Sequence, residues 1–292
     1  MIDVLVLNYN DSVTTAGLIN VIKLYSCIRK ILVVDNHSTD GSFEKLSVLS
    51  GEKVLVVQTE RNGGYGAGNN FGIRYLLQNF QSEHVLICNP DVAVSENTLS
   101  RLSDFLSSNK EYAIVAPAMK IPQKGFQYCA FRNASVLSFL MSVELIYSRL
   151  FSPLYLRMSS LKKNEKVDVF AVAGSLFMVD ARKFAEKKLY DENMFLYFEE
   201  FVLGKNCQQD RYKTALLPKI FFIHNHSVSI SKTYRSVLKK QFIYLQSYRY
   251  VLKNYFLANS FLYFASYVMS GISLMEVFVW SNLCRFYRTG RC

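Results

Sequence analysis

Four times in the first 110 residues, a short apolar run gives way to a polar or glycine-rich loop and then to a stretch of helical spacing. The runs are Ile2–Leu7, Ile31–Val34, Val54–Val57 and Val85–Cys88. Continuous apolar runs this short suit strands covered on both faces. Helical stretches follow them. The first covers residues 12–25, opens at Ser12 and sets Val13, Leu18, Ile19 and Ile22 as its apolar positions. The second carries Phe43, Leu46 and Leu49, and the third Ile73, Leu76 and Leu77. The fourth, capped by Ser95, repeats Leu99, Leu102 and Leu106. Repeated strand–helix alternation predicts an α/β fold: a parallel, right-handed, doubly wound sheet. Every polar loop then falls on the C-terminal rim, where open sheets bind ligands.

Those loops are Asn8–Asp11, Asp35–Ser42, Glu60–Gly68 and Asn89–Asp91. In the last, Pro90 stops the strand and Asp91 stands just past it. A carboxylate there suits a hard cation that carries phosphates. Asn-Pro-Asp is also ordinary turn chemistry. The glycine loop Gly64-Tyr65-Gly66-Ala67-Gly68 does not complete the dinucleotide pattern G-x-G-x-x-G, because Asn69 and Phe71 occupy the third glycine positions. It also follows the third strand, so a dinucleotide dehydrogenase is disfavoured. Its glycines fit either close approach to a nucleoside diphosphate or a tight turn.

Beyond residue 112 the pattern changes. Ala113–Pro117 reads as a strand, and 120–166 as an insertion whose apolar stretch, Val136 to Met158, is interrupted by Pro153. Val167 to Val179 returns to strand. Gly174-Ser175 in its middle fits close backbone approach by a ligand. The run Phe195-Leu196-Tyr197-Phe198 leads into Glu199-Glu200. A carboxylate against such an apolar wall has its pKa raised by desolvation, which suits a general base. Adjacent residues point apart, so one glutamate is expected to be catalytic. Residues 215–223 form a strand ending in His224-Asn225-His226; the two histidines point the same way, and either can join Asp91 on a metal.

The net charge of +11 is unevenly distributed. Residues 1–119 carry −3, 120–167 carry +6, 168–226 are balanced and 227–292 carry +8. Both basic segments are rich in large apolar side chains, the composition of a surface that docks on anionic membrane. No nucleic-acid motif accompanies the charge, so no nucleic-acid partner is expected. The six cysteines, at 27, 88, 129, 207, 284 and 292, show no CxxC spacing. That argues against a zinc site or a disulfide framework. Met1-Ile2-Asp3-Val4 enters strand directly, without a signal-peptide pattern, so the bulk of the chain is expected in the cytoplasm.

Together Val33-Val34-Asp35-Asn36-His37-Ser38-Thr39-Asp40-Gly41-Ser42, Asn62-Gly63-Gly64-Tyr65-Gly66-Ala67-Gly68-Asn69-Asn70, Asn89-Pro90-Asp91-Val92, Ala173-Gly174-Ser175 and Tyr190 to Glu200 resemble, in order and spacing, glycosyltransferase family 2 of the GT-A fold. The nearest likeness is to rhamnosyltransferase-like and polysaccharide-assembly members, over residues 1–230. The resemblance implies an inverting enzyme that moves a sugar from a nucleotide-diphosphate donor to a hydroxyl of a lipid-linked saccharide. It implies that Leu7, Tyr9, Asp35, Asn62 and Gly64 bind the donor nucleotide. Asp91 with His224 or His226 would hold Mg2+ or Mn2+. Glu200 would be the base, and Gly174, Ser175 and Glu199 would line the acceptor side. Two departures stand out: the base is Glu where many members have Asp, and Val202 replaces an Asp often found there. They leave a second reading open, a catalytically degenerate scaffold subunit of a polysaccharide assembly complex.

Residues 231–292 are expected to form a separate basic, aromatic, helical tail. Residues 256–275 carry no charge for twenty positions, long enough to span a bilayer. Asn259, Ser260, Ser266, Ser270 and Ser273 make it polar for a span, and Glu276 follows at once. An interfacial helix or helical hairpin on the inner leaflet of the bacterial inner membrane is the favoured expectation. A true span and a homo-oligomer interface are the other two.

Overall fold

The computed structural model describes residues 1–151, 154–186, 190–225 and 237–289. The strands are β1 (Ile2–Asn8), β2 (Ile28–Asp35), β3 (Val54–Gln58), β4 (His84–Cys88), β5 (Val92–Val94) and β6 (Tyr112–Ile121). They continue with β7 (Gly125–Phe126), β8 (Ala130–Phe131), β9 (Val167–Val169), β10 (Ala171–Val172), β11 (Leu176–Asp180) and β12 (Lys213–His224). The helices of the sheet region are α1 (Ser12–Ile22), α2 (Ser42–Ser47), α3 (Tyr65–Phe80) and α4 (Glu96–Ser108). Next come α5 (Val136–Met141), α6 (Leu145–Phe151), α7 (Met158–Leu161), α8 (Ala181–Glu186) and α9 (Glu199–Gln209). Two tail helices close the chain, Val237–Asn254 and Ser260–Thr289.

The main path through the sheet runs β3-β2-β1-β4-β11-β6-β12-β5. Its first four strands are parallel, as the alternation predicts. Ile31 to Val34 are fully buried, so both faces of β2 are covered. Each large apolar side chain buried this way contributes roughly 1.5–3 kcal/mol. In α4, Ser95 accepts the Thr98 amide, and Leu99, Leu102 and Leu106 turn inward.

The sheet is mixed and mostly parallel, as a GT-A fold requires, with β11 running antiparallel between β4 and β6. Two expectations need correction. Val13 is 81% exposed; the inward face of α1 is Thr15, Leu18, Ile19 and Ile22. Val167–Val179 is not one strand but three: β9 joins β12, β10 joins β8, and β11 joins β4. The break has a physical reason. The Gly174 amide and carbonyl bond to side chains, Glu200 and Tyr65, instead of to a ladder.

A second core lies beside the sheet. It joins Phe131 and Phe139 of the insertion, Phe198 and Phe201 near α9, and Tyr248 and Phe256 of the tail. Phe139 stacks on Phe256 and Tyr248 at 4.4 and 5.5 Å between centroids. Stacked pairs add about 0.5–1.5 kcal/mol each beyond their buried area. Packing is therefore continuous from the sheet region into the first tail helix. The two tail helices form an antiparallel hairpin, closed at Phe256–Asn259.

Candidate active site

The rim loops converge as the sheet predicts. Asn8 and Asp35 are register partners at the ends of β1 and β2. Asn8 Nδ2 donates to Asp35 Oδ2 at 2.8 Å. The Ser38 amide and hydroxyl and Gln58 Nε2 also donate to that carboxylate. Asp35 is fully buried. With four donors on its two oxygens it braces three loops. Leu7 and Tyr9, at the end of β1, are half-buried at the same rim.

The glycine loop packs closely on the protein around it. Asn62 Oδ1 accepts from the Gly64 amide and from Asn36 Nδ2, both at 3.0 Å. Gly64 has φ +92°, and a Cβ there would lie 2.3 Å from the Phe195 carbonyl oxygen. The Tyr65 amide donates to that same oxygen at 3.0 Å. A Cβ on Gly68 would lie 2.5 Å from Leu7. These glycines admit protein: the 193–195 turn on one side and β1 on the other.

Asp91 is 7% exposed, and its Oδ1 lies 3.2 Å from His224 Nε2. Pairing of β5 with β12 sets Val92 opposite His224, and the Asn225 amide donates to the Asp91 carbonyl at 2.9 Å. One carboxylate and one imidazole thus converge on a point. Among the described residues no third His, Cys, Asp or Glu joins them. His226 lies outside the described residues. An oxygen-and-imidazole pair fits a divalent cation that takes its remaining ligands from phosphate and water.

Two hydrogen bonds link this corner to the acids. The Asn89 amide donates to Ser175 O at 2.9 Å, and the neighbouring Gly174 amide donates to Glu200 Oε1 at 3.1 Å. Tyr65 Oη donates to Gly174 O at 2.7 Å. Ser175 is buried, with its hydroxyl near Met119 Sδ. Glu199 and Glu200 open α9, behind Tyr197 and Phe198 at φ +76° and +67°. Left-handed backbone at two consecutive aromatic residues is strained, by about 1–3 kcal/mol each. Glu199 is buried and Glu200 less so. Burial first, and then the charge of Glu200, raises the Glu199 pKa well above the carboxylate range. Burial raises that of Glu200 as well, opposed by amide hydrogen bonds. Glu199 is 7% exposed and its Oε1 has no partner among the described residues. Glu200 is only partly buried, so of the two it is the one a substrate can reach. Val202, fully buried in the aromatic core, stands away from this chemistry.

Sequence reasoning missed the parts played by Tyr65 and Tyr155. Burial, and then the Glu200 charge, pushes the Tyr155 phenol up to about 12. A tyrosine inside a glycine run is the only signal that marked Tyr65.

The model of glycosyl transferase family 2 matches residues 3–182. The low-salt glycan biosynthesis hexosyltransferase Agl10 of Haloferax volcanii is 23% identical over 235 residues, 78% of this chain and 68% of that protein. The N-acetylglucosaminyl-diphospho-decaprenol L-rhamnosyltransferase of Mycobacterium tuberculosis is 24% identical over 69% of this chain and 68% of its own. Among solved structures, GalNAc-T7 with UDP, GalNAc and Mn2+ superposes with a TM-score of 0.57 at 18% identity. That match covers 78% of this chain but 44% of GalNAc-T7. The mannosyltransferase PcManGT of Pyrobaculum calidifontis, in complex with GDP-Man and Mn2+, gives 0.56 at 12% identity over 99% of this chain and 79% of that one. At these identities the structures establish the GT-A fold alone. With the family model spanning well over half of its residues, the chain belongs to glycosyl transferase family 2 and is a glycosyltransferase.

Proposed function

We propose that the chain transfers a sugar, with inversion, from a nucleoside-diphosphate donor to a hydroxyl of a lipid-linked saccharide in bacterial surface polysaccharide synthesis. The carrying observation is the partly buried Glu200 carboxylate, fixed by the Gly174 amide two hydrogen bonds from the Asp91–His224 corner. Glu200 takes the proton of the attacking hydroxyl. As the acceptor oxygen bonds to the anomeric carbon, the bond to the diphosphate breaks on the opposite face. One base and one displacement give inversion. Asp91 and His224, with His226 as a further candidate, would hold Mg2+ or Mn2+. Bound there, such a cation would neutralise charge on the departing diphosphate. Leu7, Tyr9, Asn62 and the Gly64 loop would line the nucleotide, with Asp35 fixing their loops. Gly174 and Ser175 would face the acceptor, and Glu199 would back the base.

Membrane attachment belongs to this reading. Within the helix Ser260–Thr289, Ser260–Trp280 is long and apolar enough to cross a bilayer by length and composition; the pattern of its faces favours lying along one. Ser266, Ser270 and Ser273 face the protein, and Ser273 donates to Val143 O at 2.9 Å. Glu276 accepts the Leu145 amide at the start of α6. The outward face carries Phe261, Phe264, Tyr267, Val268, Met275 and Phe278, each at least half exposed. Polar inside and aromatic outside is the arrangement of an interfacial helix, here on the cytoplasmic leaflet. The decaprenol carrier named for the mycobacterial relative supports a lipid-linked acceptor.

The test is a thermal-shift panel of UDP-, dTDP- and GDP-sugars with and without Mn2+, followed by transfer assays. A ligand of the folded state raises its stability. Glu200→Gln should keep the donor-induced shift and lose about 10²–10⁴-fold in transfer. Asp91→Asn should lose the Mn2+-dependent part of the shift. Wild-type transfer by Glu200→Gln sinks the assignment.

A further inference from the structure

An open cleft of about 660 Å3 lies between the tail hairpin and the 193–195 turn. One wall is Tyr263 and Tyr267, on the helix whose outward face is apolar. The other is Asn193 to Phe195, five residues from Glu200, with the Phe195 carbonyl bonded to the Tyr65 amide. Arg249 and Lys253 line it from the first tail helix. The Arg249 guanidinium sits 4.9 Å from the Tyr267 ring centroid and donates to Ser270 Oγ at 3.1 Å. Lys253 Nζ sits 5.6 Å from the Tyr263 centroid. Among the described residues neither cation has a carboxylate within ion-pair distance. The nearby Asp191 is engaged by Tyr250, Tyr255 and Asn193.

Two oriented cations in a recess, without an acid of their own, call for an anionic ligand. Aromatic rings hold both in place, so little side-chain freedom is lost when it binds. The position selects the anion: one wall borders the lipid-facing helix and the other leads to the base. We propose that this cleft binds the phosphate or diphosphate of the acceptor's lipid carrier, with Arg249 and Lys253 as its contacts. The assignment rests on the lipid-linked acceptor of the preceding section. It adds a subsite that fixes how far the reacting sugar stands from the membrane.

The full chain is floated with phosphatidylcholine vesicles carrying a polyprenyl phosphate, the same fraction of phosphatidylglycerol, or neither. Wild type should prefer the polyprenyl phosphate, and inorganic pyrophosphate should compete. Lys253→Gln and Arg249→Gln should each weaken that binding about tenfold, the loss of one charge-assisted contact, and weaken phosphatidylglycerol binding by clearly less. Lys253 is exposed at the helix end, so its replacement tests the cleft even if Arg249→Gln loosens the hairpin. Equal loss on both anionic vesicles, or no loss, overturns the proposal. So does pyrophosphate binding without a preference for the lipid phosphate, which would mark a site for a free anion. Sugar transfer on the same preparations reports separately on the proposed reaction: charge-dependent lipid-phosphate binding without any transfer to a lipid-linked saccharide upholds the cleft and sinks the lipid-linked acceptor.

Discussion

Gly64→Ala should be far more damaging than its single added methyl suggests. At φ +92° with ψ −178° the backbone lies in territory open to glycine. A side chain there costs about 1–3 kcal/mol in strain. The new Cβ would lie 2.3 Å from Phe195 O, 2.8 Å from its Cα and 2.9 Å from its carbonyl carbon. All three are backbone atoms that no rotamer change can move aside. Overpacking of this kind costs about 1–3 kcal/mol. Together the two effects give roughly 2–6 kcal/mol, a fall of about 5–20 °C in melting temperature for a chain of this size. Relief requires the 193–195 turn to retreat, and that turn leads into Glu199 and Glu200. Transfer should therefore fall more than donor binding. Gly17→Ala is the matched control: a helical position with nothing within 4 Å of an added Cβ, expected to gain about 0.5–1 kcal/mol. Calorimetric melts and transfer rates of the two variants check this. A Gly64→Ala protein that melts and turns over like wild type would refute the close approach.

Glu199→Gln should change the pH dependence of stability. The folded-state pKa of Glu199 is raised above its unfolded value of about 4.3. Its contribution is therefore fully present below that pH and lost as pH climbs through the folded value. A neutral glutamine removes the loss, so the melting temperature of the variant should gain on wild type from pH 5 towards 9, on the order of a few degrees. A gap that stays constant with pH contradicts a desolvated acid pair. On the tail, Phe261→Ser with Phe264→Ser should leave the melt unchanged, because both rings face outward. Binding to phosphatidylglycerol vesicles should drop roughly tenfold or more for each ring lost; unchanged flotation would remove that face from the membrane.

The parallel half of the fold was readable because each of its strands and helices announces itself locally. Ile31–Val34 is an uninterrupted apolar run, and Leu99, Leu102 and Leu106 keep helical period behind Ser95. The antiparallel insertion of β11 was not readable. Partner choice there depends on strands β4 and β6, some ninety and sixty residues away, and a period-2 pattern does not carry direction. Within the site, Asp91 and the pair His224 and His226 came from residue type and order, and Glu200 rather than Glu199 from the family resemblance. The reason for Gly64 did not, since it lies in the Phe195 carbonyl, about 130 residues later. The direction of the serines in the last helix was unreadable for a similar reason. The sequence shows them as polar positions in an apolar segment and does not say that Ser266, Ser270 and Ser273 point into the protein.

The strained turn at Tyr197–Phe198 is held partly from outside the sheet domain. Ser247 Oγ donates to Leu196 O at 2.6 Å, and Phe198 packs against Tyr244 at 4.7 Å between centroids. Both anchors belong to the first tail helix. Cutting the chain ahead of residue 237 to obtain a soluble enzyme would therefore take away the clamp on the turn that leads into Glu199 and Glu200. A truncated protein that folds, binds donor and transfers nothing would be reporting a released Glu200, not a missing membrane.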